Sequence, residues 1–257
     1  MKEVRAGRKP YPTDLTDSQW EEIEPLYSGM RNRKWSKREL TNAVLYIVKT
    51  GCQWRQLPHD FPPYQTVYSF FSRGEKSGLW EKILAHLVEK TRKDAGKSAE
   101  PHHALIDSQS VKRLRTTKRA ASTEEKTKGR KRHAVVDTMG NLLSIVVHAA
   151  NIHDTKSGIL AAQKACEKYP SIQAFCADAG YRGTFIAEVQ QQLQRRVDIS
   201  EKIKPHEWVK LPLRWIVERT FGWMNAARRL AKELEILVSI EEAMIRIAGA
   251  AVLLHRL

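Results

Sequence analysis

The chain has 257 residues, 42% hydrophobic and 28% charged, a composition that suits a soluble globular protein with one large or two modest cores. No apolar run approaches the roughly 20 residues of a bilayer helix, and the charged start MKEVRAGRKPYPTDLT lacks the apolar stretch of a secretory signal, so a cytoplasmic protein without membrane contact is expected. Three cysteines (Cys52, Cys166, Cys176) with no CxxC or Cys/His grouping indicate neither a disulfide framework nor a zinc site, while 44 Lys+Arg against 29 Asp+Glu, net charge +15, point to a polyanionic partner.

In chain order, residues 1–13 read as a disordered basic tail. LTDSQWEEIEPLY carries a helix start, with Thr16 or Asp17 as cap and Trp20, Ile23 and Leu26 at helical spacing. SKRELTNAVLYIVKTG predicts a second helix, opened by a capping box of Ser36 and Glu39 and stopped at Gly51. A third helix is predicted from about Pro63 to Arg73, ending at Gly74, and a fourth from Leu79 to about Lys93. The third sets Gln65, Thr66, Ser69 and Arg73 beside an apolar side of Val67, Phe70 and Phe71. Short successive helices of this kind make either a helix-turn-helix-like DNA-binding module over 14–93 or a plain helical bundle.

Residues 94–103 are polar and read as a linker, after which the pattern changes. HALIDSQSV is a short β-type run containing Asp107. Residues about 113–129 have no periodicity and predict a mobile basic loop; residues 110–135 together hold 10 basic and 2 acidic residues. KRHAVVDTMGNLLSIVVHAA predicts a hairpin turned at TMGN. A helix from Asp154 to about Lys168, a strand IQAFCA ending at Asp178, a helix over roughly 183–193, a short strand RRVDIS and a long helix from about Leu213 complete the series. The order β-β-β-α-β-α-β-α predicts a mixed α/β sheet over 104–257.

Asp107 and Asp178 both end strands, where ligands of α/β sheets collect, although either alone is equally a turn former or helix cap. Glu218 lies on the long helix in a stripe with Arg214, Gly222, Asn225, Arg229 and Lys232, opposite Ile216, Thr220, Trp223, Ala227 and Leu230. Its plain alternative is an i,i+4 pair with Arg214. Three such carboxylates, if they converge, make a hard-oxygen site for Mg²⁺, and two ions about 3.5–4 Å apart would clamp a phosphoryl displacement.

At ALIDSQSVK, GRKRHAVVDTMGNLLSIVVHAANIHD, DAGYRG and RWIVERTFGWMNAARRLAKELE the chain resembles a bacterial insertion-sequence transposase of the IS5 family, of DDE type with an RNase H-like core. LTDSQWEEIEPL, GCQWRQLP and TVYSFFSRGEKSGLW resemble the small helical domain that precedes that core. The resemblance implies that Asp107, Asp178 and Glu218 are the DDE triad, Asp107 bridging two Mg²⁺ ions (Mn²⁺ as substitute) and the others each completing one side. It implies cleavage at the ends of the element, then joining of the freed 3′-hydroxyl to target DNA. It further implies terminal inverted repeats and target DNA as partners, a homodimer or larger assembly, and a place in the bacterial cytoplasm at the nucleoid. Related enzymes carry a Tyr–Arg–Glu–Lys signature. Arg214 and Glu218 fit it, while Leu211 and Asn225 stand at the tyrosine and lysine positions. Alternatives are an RNase H-like nuclease that cuts without joining and a regulator that binds terminal repeats.

The basic runs VKRLRTTKRAAS (Lys112, Arg113, Arg115) and GRKR (Arg130, Lys131, Arg132) are expected to touch phosphate rather than to be only a solvated charge run. Asn225, Arg229, Lys232 and Arg214 are expected to supply DNA contacts from the long helix. Asp137 reads as a turn residue, Asp154 as a helix cap and Trp223 as core. The final apolar helix, 241–256, is either a contact for a second copy or the closing element of the core.

Overall fold

The computed structural model describes residues 8–31, 34–112, 129–152, 154–200 and 213–257, apart from the side chains of 154–156 and 214. Helix α1 (Asp17–Ile23) opens on a full capping box, the Thr16 hydroxyl accepting the Gln19 N–H and the Gln19 side chain accepting the Thr16 N–H. Helix α2 (Lys37–Thr50) starts where the Ser36 hydroxyl accepts the Glu39 N–H and stops at Gly51, φ 70°. Only half of the expected box forms there, because the Glu39 carboxylate is taken by Arg8 at 2.7 Å. Arg8 also meets Asp14 at 2.8 Å and lies over the Phe61 ring at 4.5 Å. Residues 8–13 are therefore packed against the helices, not a disordered tail; residues 1–7 lie outside the described residues.

Helix α3 (Tyr64–Lys76) continues through Gly74, where the sequence predicts a stop. The Trp80 indole lies 2.9 Å from where a Gly74 Cβ would stand, and its Nε1 donates to Phe71 O at 3.0 Å. That glycine thus admits an aromatic ring instead of ending the helix. The turn falls at Gly78, φ 71°, before α4 (Leu79–Asp94).

Strands β1 (His103–Lys112), β2 (Gly129–Asp137) and β3 (Leu142–Ala149) form an antiparallel meander; after α5 (Asp154–Lys168), β4 (Ala174–Asp178) pairs parallel to β1. Helix α6 (Thr184–Glu188) leads to β5 (Arg196–Ser200), parallel to β4. The order β3-β2-β1-β4-β5, with β1–β3 antiparallel and β4 and β5 parallel to β1, makes the mixed sheet expected from the sequence, preceded by the helical segment. The β2–β3 turn is tied by Asp137, whose Oδ1 accepts the N–H groups of Met139 and Asn141 while Oδ2 meets Arg92 of α4 at 2.7 Å. Asp137 is thereby a structural residue of the turn, as its sequence setting indicates.

Helix α5 packs on one sheet face, where the Ser144 hydroxyl donates to Ala161 O at 2.8 Å. Helices α7 (Arg214–Asn225) and α8 (Val238–Leu254) cover the other face. Most of α8 is buried: a Cβ on Gly249 would stand 3.4 Å from Leu142 of β3 and 3.5 Å from Leu84 of α4. The last helix therefore closes one core shared by the sheet and the helical segment.

Candidate functional site

Register puts Asp107 and Asp178 side by side: Asp178 ends β4 as expected, whereas Asp107 lies in the middle of β1, which runs on to Lys112 because its second half stays paired with β2. The parallel pairing of β1 with β4 runs through Leu105↔Cys176, and Asp107 and Asp178 each stand two residues beyond that pair. Side chains alternate along a strand, so both carboxylates fall on the face of Leu105 and Cys176, on strands spaced roughly 4.8 Å apart. Asp107 is buried, with Oδ1 accepting the Ser108 N–H at 2.7 Å. Asp178 is half-buried and caps the turn Ala179–Tyr181, its Oδ1 accepting the Gly180 N–H at 2.9 Å. A carboxylate in a backbone N–H is fixed in direction, which suits a ligand as well as a cap. The motif residue Tyr181 turns to the opposite face, where its hydroxyl meets His133 Nδ1 at 2.9 Å.

Helix α7 lies over β1, β2 and β4 through Ile216, Val217, Thr220, Phe221 and Met224, leaving Glu218 exposed. Among the described residues, no three His, Cys, Asp or Glu side chains form a group that could hold a metal ion. The structure thus brings Asp107 and Asp178 together and sets Glu218 on the helix above their strands without joining it to them. Like-charged carboxylates disfavour close approach unless a cation stands between them. The donor set suits a hard divalent cation: paired carboxylates, a third on the covering helix, and Gln109 Oε1, on the same face as Asp107, buried with no partner among the described residues. Gln109 was not singled out by the sequence, which gives no sign that its amide is buried.

The expected polar stripe of the long helix is cut short. Helix α7 ends at Asn225, Ala227 is extended, and Arg228–Leu230 form a separate 3-10 turn. Asn225 and Lys232 are exposed, but Arg229 is buried, donating to Glu235 at 2.6 Å and to Cys52 O at 3.0 Å. The expectation of a DNA contact by Arg229 is corrected by that pairing.

Two residues of GRKR are corrected likewise. Arg132 is 2% exposed, with Nε on Glu241 Oε1 at 2.8 Å and Nη1 on Leu230 O at 2.7 Å. Arg130, 8% exposed, meets Glu241 Oε2 at 2.8 Å, Glu233 at 3.1 Å and the carbonyls of Glu235 and Ile236. Alternation turns both inward under α7 and α8, where carboxylates engage them. Lys131 points the other way and is half-buried, while Lys112 is exposed at the end of β1. Arg113, Arg115 and the Arg214 side chain lie outside the described residues, as do residues 113–128 of the basic loop, His153 and the Asp154 side chain.

Trp223 is half-buried and not a core residue: the guanidinium groups of Arg219 and Arg256 both lie over its ring, at 4.5 Å and 4.3 Å. Arg219 also lies 4.5 Å from Trp215, which is 44% exposed. The spacing of Trp215, Arg219 and Trp223 at i, i+4, i+8 was the available signal for this ladder. Burial holds the Arg256 guanidinium below its ordinary value, helped by the nearby charge of Arg219. In the helical segment, Gln65, Ser69 and Arg73 are exposed on α3 with Thr66 half-buried, and Arg73 donates to Ser69 Oγ at 2.7 Å.

Two family models match the chain. The one described as "Putative transposase of IS4/5 family" covers residues 15–84, and that described as "Transposase DDE domain" covers residues 98–253. "Uncharacterized protein y4sN" of Sinorhizobium fredii is 29% identical over 80 residues, 30% of this chain and 64% of that protein. The chain therefore spans less than two thirds of that relative. "Insertion element IS402 uncharacterized 16.2 kDa protein" of Burkholderia cepacia is 26% identical over 108 residues, 38% of this chain and 72% of that protein. Among solved structures, a Mos1 transposase paired-end complex with left transposon end is 13% identical, with 76% of this chain and 69% of that chain covered and a TM-score of 0.26. The Mos1 strand transfer complex is 11% identical, with 89% and 77% covered and a TM-score of 0.29.

Proposed function

The chain belongs to the transposase DDE domain family, its first segment being of IS4/5 type, and on that premise we propose that it is a DNA transposase using Asp107, Asp178 and Glu218 as its acidic triad. The observation that carries this reading is the placement of Asp107 and Asp178 at equivalent positions of adjacent parallel strands, under the helix that bears Glu218.

The three carboxylates would hold Mg²⁺, which when bound supplies charge neutralisation at phosphorus and activation of the attacking oxygen. The chain's own part is positioning. The Ser108 and Gly180 N–H groups aim the aspartates, and the contacts of Thr220 with Gly140 O and of Arg219 with Met139 O seat α7 on the hairpin. In the first step a water oxygen bonds to phosphorus at the end of the element as the bond to the 3′ oxygen breaks, and that oxygen takes the proton. In the second, the freed 3′-hydroxyl bonds to a target phosphorus, displacing the target's own 3′ oxygen, which is protonated in turn. No serine nucleophile is required, so Ser108 and Ser110 act only as strand residues.

Residues 14–93 serve as the DNA-binding segment through Gln65, Thr66, Ser69 and Arg73, joined by the linker 94–103 to the catalytic residues 104–257. Lys112, Asn225 and Lys232 add exposed phosphate contacts; Arg113 and Arg115 keep the phosphate contact expected of the basic run, and Arg214 the DNA contact expected of the long helix. Such contacts are sequence-independent and weaken with salt. Handling two ends of one element calls for at least two copies. The test is incubation with Mg²⁺, a DNA end carrying the element's inverted repeat, and a target plasmid. Joined product is expected. Cleaved ends without joining would replace this reading by a nuclease, and binding without either product by a regulator.

A further inference from the structure

The same sheet face that carries Asp107 carries a buried guanidinium that is turned away from it. Asp107 pairs with Ala134 and Gln109 with Arg132, so Arg132 is the diagonal neighbour of Asp107, about 7–8 Å away between Cα atoms and within reach of an arginine. It takes neither that route nor the one straight across. Arg132 reaches back to Glu241 of α8 and to Leu230 O, while Gln109 Oε1, directly opposite, is left buried without a donor among the described residues. Glu241 is 1% exposed and divides its two oxygens between Arg132 and Arg130, each at 2.8 Å. A buried ion pair adds little stability over apolar packing of the same volume. Its position therefore calls for another account.

We propose that Glu241 is a positioning residue which draws Arg132 away from the acidic pair and so prevents a guanidinium from pairing with Asp107 in place of a divalent cation. The proposal rests on the reading of Asp107 as a cation ligand. With Glu241 neutralised, Arg132 lacks its carboxylate partner, and Asp107 is the acid one diagonal step away on the same face. The consequence is competition with the cation, not merely a looser fold.

The test is Mn²⁺ binding to the full chain, followed by paramagnetic resonance, in wild type, Glu241→Gln, and Glu241→Gln combined with Arg132→Met. The single variant is expected to weaken binding about 10–100-fold, the range for residues behind a metal ligand. The double variant, which removes the competing cation, is expected to return to within about twofold of wild type. A purely structural role would lower the unfolding temperature of both variants and leave the Mn²⁺ affinity of the folded protein unchanged. Wild-type affinity in the single variant, or no recovery in the double, overturns the proposal. Should Glu241→Gln not fold, Glu241→Asp takes its place with the same criteria, since its shorter arm keeps the charge but releases Arg132. Asp107→Asn separates the two ideas: unchanged Mn²⁺ binding there would sink the triad reading itself.

Discussion

Helix α3 and strand β2 both carry basic residues that the sequence marks as candidate DNA contacts, yet they dispose of them in opposite ways. On α3, Arg73 is exposed and, among the described residues, its guanidinium bonds to Ser69 one turn away. On β2, Arg130 and Arg132 are buried and bonded to residues more than 95 positions along the chain. The difference lies in periodicity and covering. A helix on the outside keeps its polar side in water, whereas every second side chain of a strand under two helices must find its partner inside. Positive charge in a sequence thus marks a DNA contact only where the geometry leaves it facing solvent.

Breaking the β2 arrangement has the largest expected effect on stability. Glu241→Leu leaves two buried guanidinium groups short of their shared carboxylate, and denaturant unfolding should show a loss of about 3–5 kcal/mol. The corresponding change on α3, Arg73→Ala, is expected to alter stability by less than about 0.5 kcal/mol. Its effect appears instead in DNA affinity measured against salt, where the slope of log affinity on log salt should fall by about one. A large stability loss for Arg73→Ala, or an unchanged salt slope, would remove the contrast between the two regions.

Much of the fold was legible because its signals are local. The Thr16 cap, the Gly51 stop, the TMGN hairpin and the end of β4 at Asp178 follow from neighbouring residues, whereas the pairing of β4 with β1 that sets the sheet order does not. The failures share one cause. The stretch NAARRLAKE consists mostly of good helix formers, so nothing local ends α7 at Asn225. The ending goes with contacts from α2 and its C-terminal turn, where a Gly51 Cβ would stand 3.0 Å from the Arg228 backbone and Cys52 O takes Arg229. Gly74 reads as a stop until Trp80 is seen lying on it. In the candidate site, the sequence marks Asp107 and Asp178 as acids of two strands, but their adjacency rests on the β1–β4 register, and the burial of Arg130 and Arg132 depends on Glu233, Glu241 and the covering helices. No window of sequence contains both halves of those pairs.

Asp107, Asp178 and Glu218 come from two strands and a helix, yet the proposed chemistry requires them to act as one site. That requirement is tested most directly by Mg²⁺-dependent strand joining with Asp107→Asn, Asp178→Asn and Glu218→Gln, measured beside the unfolding temperature of each. Each variant should keep the wild-type unfolding temperature and lose joining by about a thousandfold or more, as loss of several kcal/mol of transition-state charge stabilisation requires. Full joining activity in any one of the three folded variants would contradict the account.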